Sequence, residues 1–358
     1  MPPSDPSLTP HRSKVARFGA LLHRYFLLVM LLAYLLAGVA PGPGSVIRNF
    51  AVKLPGGAIE RVSMLLLAVL LFCAAAVIEW SQVRELIEHP SVLLSGLLTC
   101  WFGPALLVVV VGPIMTRLAG GASTEGLLVG LALVAAMPVA NSSAGWAQNA
   151  RGNVTLSLGL IVLSILLSPL ATPNLLTLMG LALSADDTDR IAKVVNEFSG
   201  MRFILWVILP SIAGAVTAWL AGPRWVVHAK PWFRLITLTT ILVLNYANAS
   251  LAVETVWKSE QLGVILLAAV LAVSVALVGI ALAVIQARAC SLAHGTRIAL
   301  VFSLSMKHTG LALVLAGEVL HDQPRVILVI LLSTLAQHVT AAAVDWRLSR
   351  KAAAELFS

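Results

Sequence analysis

Long apolar runs follow one another along almost the whole chain, parted by short polar stretches. A helix that crosses the hydrocarbon core of a bilayer needs about 20 mostly apolar residues. Cutting the sequence at charges, Pro and Gly predicts ten such helices, near 21–40, 62–80, 91–117, 124–148, 153–183, 201–221, 234–257, 261–286, 297–320 and 325–346. The runs far exceed the roughly 11 residues of a barrel strand and do not alternate, which excludes a transmembrane barrel. The expected fold class is an all-α polytopic membrane protein with ten transmembrane helices.

The longest polar interruption, "SADDTDRIAKVVNEFSGMR" at 184–202, falls after the fifth run. Residues 1–183 then hold five spans and residues 203–358 hold five more, with 184–202 connecting them. An odd number of spans per half forces the second half to insert upside down, the arrangement of inverted-repeat secondary transporters.

Two spans are interrupted at matching places in their halves. In the fourth, "GLALVAAM" meets "PVANSSAGWAQNARGN", where Pro138 removes a backbone donor and Asn141, Ser142, Ser143 and Gly145 follow. In the ninth the interruption is "SLSMKHTG", residues 303–310. Broken backbone at membrane depth is tolerated only inside protein or along a wet cavity. Paired interruptions of this kind point to a transporter's binding site, so Asn141, Ser142, Ser143, His308 and Thr309 are the candidate substrate-facing residues.

Lys307 lies ten residues from Arg297 and thirteen from Leu320. At about 1.5 Å per residue it is roughly 15 Å from one end of its span and 20 Å from the other, beyond the reach of a snorkelling side chain. An ionisable group at that depth reads as functional, against the plainer alternative of a lysine tied to carbonyls at a helix break. His308 follows it, and His338 sits midway along the tenth span beside Gln337. These histidines suggest a proton route, or simply hydrogen bonds between helices, as do Asn245 and Asn248 in the seventh span.

Composition agrees with the pattern. The 358 residues are 59% hydrophobic and 11% charged, with a mean hydropathy of +0.94, whereas soluble chains carry about 25% charged residues. The net charge of +8 is spread over short loops with no basic arm, so no nucleic-acid partner is expected. With ten crossings and both ends on one side, fourteen of the 24 Lys and Arg residues fall on that side, nine on the other and Lys307 within the membrane. That asymmetry predicts cytoplasmic termini, in a plasma or inner membrane. Residues 11–24 are basic, 25–37 apolar, and "AGVA" ends at Ala40, which also fits a cleaved signal peptide. The run reaches back to Leu21 and Pro41 follows it, so a first span is the preferred reading.

Cys73, Cys100 and Cys290 lie within or at the end of apolar spans, without metal-like spacing. Neither a metal, a cofactor nor a disulfide framework is expected. The chain has no HExxH, no GxSxG and no paired carboxylates at membrane depth, which argues against a membrane enzyme.

The segment "NSSAGWAQNARGNVTLSLGLIVLSILLSPLATP" (141–173) resembles the fourth and fifth spans of the bile acid:sodium symporter family. "MKHTGLALVLA" (306–316) resembles that family's ninth-span "MQNSGLA" motif, and "EWSQVRELIEHPSVLLSG" (79–96) its loop into the third span. The resemblance covers residues 60–346. It implies a panel domain and a core domain, with broken fourth and ninth helices crossing in the core. Two sodium ions would sit behind the crossing and an organic anion in front, with alternating access by movement of the domains.

The sequence departs from that pattern at the cation sites. Ser303 stands where the family has a shared glutamate, Lys307 at a sodium-binding glutamine, and Cys100 at a second glutamine. A Ser-Asn pair becomes Ser143 and Ala144; Ser157 is kept, but Ile161 replaces a threonine. An ammonium donates hydrogen bonds and supplies no ligand oxygen, so intact sodium sites are not expected. The residues of the vacated or proton-coupling site are then Lys307, Ser303, Ser157, Cys100 and His338.

The resulting expectation is a sodium-independent carrier of a small organic anion, uncoupled or proton-coupled, with the lipid bilayer and protons as its other partners. The competing readings are a transport-inactive membrane sensor that binds the anion, and an arsenite-type exporter, which would need a fourth-span cysteine that 124–150 lacks.

Overall fold

The computed structural model describes residues 21–22, 25–53, 59–77, 90–119, 124–198, 200–259 and 262–356. Most of the basic run at 11–24, with the start of the alternative signal segment, and residues 79–89 of the third-span motif lie outside them.

The chain is mainly helical. In order come α1 (Phe26–Val39), α2 (Pro41–Asn49), a short hairpin of β1 (Ala51–Lys53) and β2 (Ile59–Arg61), then α3 (Val62–Ala75) and α4 (Pro90–Ala119). α5 (Leu127–Ala136), α6 (Ser142–Asn149), α7 (Val154–Gly180) and α8 (Ala185–Phe198) complete the first part. α9 (Met201–Phe203) passes through a π-turn at Ile204–Ile208 into α10 (Leu209–Ser259). α11 (Leu262–Ala289), α12 (His294–Ser305), α13 (Thr309–Val319) and α14 (Pro324–Leu356) follow.

Local chemistry sets several boundaries. Pro90 and Pro324 open α4 and α14, where a missing N–H costs nothing. The Asn153 side chain caps α7 by accepting from the Leu156 N–H at 2.9 Å. Gly222, at φ 79°, breaks the course of α10 just before Pro223. The segment 184–202, read above as a polar interruption, is largely the amphipathic helix α8. Its Arg190 reaches Glu125 and Asp187, and Asp187 accepts from the Gly126 N–H at 3.2 Å.

Five helices are long and apolar enough to cross a membrane: Pro90–Leu118, Val154–Gly180, Met201–Ser250, Leu262–Ala289 and Pro324–Arg350. The pair α1 and α2, bent by 96°, makes a sixth if counted as one span. α3, α5 and α13 are shorter apolar helices. The spans expected near 124–148 and 297–320 are each cut in two, and those near 201–221 and 234–257 join as one continuous helix at Gly222.

The outside of the molecule is apolar. On α4, Leu94, Leu98, Phe102, Leu106 and Val110 repeat every four residues and are all exposed. Such a continuous greasy stripe suits lipid, not water. The protein is an integral membrane protein.

The helices pack as two groups. α1, α2 and α3 pack against α10; α4 to α8 and α11 to α14 pack among themselves. The groups meet where α10 lies against α13 and α14, and where α3 touches α13. The turns gather at two ends. At one, Glu60, Glu197, Arg202 and Glu318 are in contact. At the other, the Asn153 N–H donates to Gly295 O at 2.9 Å.

Candidate functional site

The site is built where two helices stop and restart. α5 ends at Ala136 and α6 begins at Ser142; α12 ends at Ser305 and α13 begins at Thr309. Pro138, with no N–H, and the residues around it cannot continue α5. The two extended breaks meet and satisfy each other. Ala140 N–H donates to Met306 O at 3.0 Å, and His308 N–H to Pro138 O at 2.9 Å, with Val139 and Lys307 forming an antiparallel bridge.

Side chains from neighbouring helices take up remaining backbone groups. Val139 N–H donates to Ser164 Oγ at 3.0 Å, and Thr172 Oγ1 donates to Ala136 O at 3.0 Å. Lys307 N–H donates to Gln337 Oε1 at 2.9 Å. Non-helical backbone therefore survives at depth because protein supplies its partners. α5 and α12 present C-terminal, partly negative ends to the breaks, while α6 and α13 present N-terminal, partly positive ends.

Lys307 is 1% exposed. Its ammonium donates to Cys100 O, to Cys100 Sγ at 3.1 Å and to Met137 O at 3.3 Å. Three donors thus meet three acceptors. The freedom of the Cys100 carbonyl has a covalent cause. In a helix it would accept from the N–H four residues on, but that residue is Pro104, inside α4. Met137 is the first residue past α5, so its carbonyl belongs to the negative end of a half-helix. The lysine nitrogen occupies a cradle of carbonyl dipoles of the kind that holds a bound cation.

The other candidates fall into three settings. Asn141 Nδ2 and Oδ1 are buried without a protein partner, as is Ser143 Oγ; Ser142 beside them is half-buried. Ser157 and Ser303 are buried on α7 and α12, and their hydroxyls also lack a protein partner. His308 is engaged instead: its Nδ1 accepts from the Leu311 N–H at 3.1 Å and caps α13. Thr309 Oγ1 accepts from Gln337 Nε2 at 3.4 Å. Of the neighbours Gln337 and His338, it is Gln337 that reaches the Lys307 backbone; the His338 ring stands edge-on to Phe26 of α1, centroids 5.1 Å apart. Asn245 accepts from Tyr34 OH at 2.7 Å, a bond between helices, whereas Asn248 Nδ2 donates to Leu244 O within its own helix.

A model of the SBF-like CPA transporter family matches residues 24–351. The chain belongs to that family. It is also similar to the uncharacterized protein YbaS of Bacillus subtilis, 28% identical over 231 residues, which are 62% of this chain and 69% of that protein. Family membership makes it a membrane transporter and not an enzyme.

In this SBF-like transporter, sequence reasoning located both breaks and the lysine but missed the residues that complete them. Pro104, Met137, Ser164 and Thr172 carry no polar signal that stands out in an apolar run. One cue was available: a proline four residues after Cys100 announces a free carbonyl at Cys100.

Proposed function

We propose that this protein is a divergent member of the bile acid:sodium symporter-like carriers that moves a small organic anion by alternating access without sodium. Lys307 supplies the positive charge that bound sodium supplies elsewhere in that fold. The observation that carries the reading is the ammonium held by Cys100 O, Cys100 Sγ and Met137 O beside the meeting point of two broken helices. Cys100, Ser303, Ser157 and Lys307 stand at positions that the resemblance assigns to sodium ligands. A carboxylate and two amides are replaced there by a hydroxyl, an ammonium and a thiol, which removes ligand oxygens a hard cation needs.

The anion binds at the positive ends of α6 and α13, in contact with Asn141, Ser142 and Ser143. The unpartnered polar atoms of Asn141 and Ser143 favour this placement. His308 and Thr309 shape the α13 side of the site. Transport is uncoupled, or coupled to protons through Lys307, with His338 as a more distant group.

The reading includes ten crossings in two inverted halves, 1–183 and 203–358, joined by 184–202. Each broken pair counts as one crossing, and the kink at Gly222 separates the sixth from the seventh. Contacts among Glu60, Glu197, Arg202 and Glu318 at one end, and between Asn153 and Gly295 at the other, agree with that alternation. α1, α2, α3 and α10 then form the panel and the remaining helices the core. Both termini face the cytoplasm, and the membrane is the plasma or inner membrane.

The test is uptake of labelled taurocholate and pyruvate into proteoliposomes, with sodium replaced by choline, for wild type and Lys307→Gln. Flux without sodium in the wild type, lost in the variant, is expected. Flux that requires sodium would sink the built-in cation. Binding of either probe with no flux in any gradient would favour the transport-inactive sensor.

A further inference from the structure

Glu318 occupies the last turn of α13, where the helix dipole disfavours a negative charge. Its side chain is only 6% exposed, so burial penalises the charge as well. Both costs are met by groups from the other side of the groove. Arg202 Nη2 lies 3.2 Å from Glu318 Oε2, Arg61 Nη1 lies 3.7 Å from Oε1, and Ser63 Oγ donates to Oε1 at 2.9 Å. Arg61 Nη1 also donates to Gly317 O at 3.2 Å.

These partners belong to the other helix group. Arg61 ends β2 and Ser63 lies in α3, while Arg202 lies in α9, which runs on into α10. Arg202 is itself held in place by Glu60, whose Oε2 is 2.6 Å from Nη2, and it touches Glu197 of α8 at 3.3 Å. Trp206 Nε1 donates to Glu60 Oε1 at 3.2 Å. Just below, Asn248 of α10 abuts Gly317: a Cβ on that glycine would stand 3.0 Å from Asn248 Oδ1. The seam between the groups is closed at this end.

Two further features make the contact suited to opening. The Arg61 and Arg202 side chains are 35% and 34% exposed, so water and salt can compete for the pairs. Glu318 also shares one short helix with the breaks: α13 has 11 residues, a rod of about 16 Å with Lys307 and His308 just before its first residue. Displacement at the breaks is carried mechanically to the carboxylate.

We propose that Glu318, with Arg61 and Arg202, is a charge-paired latch that holds the two helix groups shut at this end and parts when the carrier opens there. The proposal rests on the carrier reading above for its role in transport, but the closed seam and its release are testable without a substrate.

The experiment uses the full chain in nanodiscs, where both faces are open to solvent. Asn248→Cys is introduced in a Cys290→Ser background, and its modification by a negatively charged maleimide is timed. Cys73 and Cys100 are buried. Adding Glu318→Gln is expected to speed labelling roughly tenfold, within the usual range for coupling between distinct sites. Adding Glu60→Gln, which cuts a pair inside one group, is expected to leave the rate unchanged. The rate in the parent should also rise with potassium chloride, and this measurement needs no folded latch variant. Equal rates in the parent and Glu318→Gln, equal acceleration by Glu60→Gln, or a flat salt response each overturn the latch. Faster labelling in Glu318→Gln with no anion flux in any variant would retain the latch and remove the carrier reading.

Discussion

Lys307 and Pro104 solve each other's problem. A proline inside α4 leaves the Cys100 carbonyl without its helical donor, and a lysine buried to 1% needs acceptors. The same repair is made locally in α7, where Pro169 would orphan Ile165 O and Ser168 Oγ donates to it at 2.7 Å. In α4 the donor comes from a different helix and carries a charge. An ammonium at the bilayer centre costs about 2.5–3.5 kcal/mol on insertion scales. Orphaning a buried carbonyl costs about 1–3 kcal/mol. The two are comparable, so removing the lysine should change stability modestly while abolishing flux. Pro104→Ala restores an N–H for Cys100 O. Lys307→Met should therefore cost about 1–3 kcal/mol less in the Pro104→Ala background than alone. A double-mutant cycle on thermal unfolding measures this, and strict additivity would show that the proline and the lysine are unrelated.

At the scale of elements, the breaks depend on close backbone approach. Gly279 of α11 lies against the end of α12: a Cβ there would stand 2.3 Å from Leu304 O and 2.7 Å from Ser305 Cα. Both contacts are backbone, so neither can swing aside. Gly279→Ala should lower stability by about 1–3 kcal/mol through overpacking, despite the helix-propensity gain of about 1 kcal/mol. Gly263, in the same helix, has nothing within 4 Å of such a Cβ. Gly263→Ala should thus raise the melting temperature or leave it alone, and a matching loss in both variants would show that helix α11 is simply intolerant of change. The half-helices also explain a residue whose role differs from its first reading. His308 looked like a ligand; its Nδ1 is spent on capping α13, which the short helix needs because its first turn starts in a break.

For the whole molecule, the division into two helix groups is what alternating access requires, since one body must move against another. Glu318, Arg61 and Arg202 bridge the groups at one end. The opposite end carries the turn between α11 and α12, with the exposed Cys290. In the proposed topology that turn is cytoplasmic. A membrane-impermeant maleimide should modify Cys290 in everted vesicles and leave it untouched in right-side-out cells. The reverse pattern would invert the orientation and place the latch on the cytoplasmic face.

Much of this was legible in the linear chain. Apolar runs, the two interruptions at 138–145 and 303–310, and a lysine too deep to snorkel are properties of consecutive residues, and hydropathy in a bilayer is read along one helix at a time. The same reasoning explains where the reading ran short. It expected an interruption at 184–202, but α8 is amphipathic and earns its helix only by packing on α7. It joined His338 to the lysine on proximity in sequence space, while the rotation of α14 brings Gln337 to Lys307 and turns His338 toward Phe26. Composition and periodicity determined by themselves that the chain lives in a membrane, that it is helical and where its helices break. Only the tertiary structure decided what the lysine touches, that the two breaks hydrogen-bond to each other, and that Glu318 meets Arg61 and Arg202. Those contacts join residues from 116 to 257 positions apart, and no local pattern of polarity encodes which distant carbonyl or carboxylate a buried cation will find.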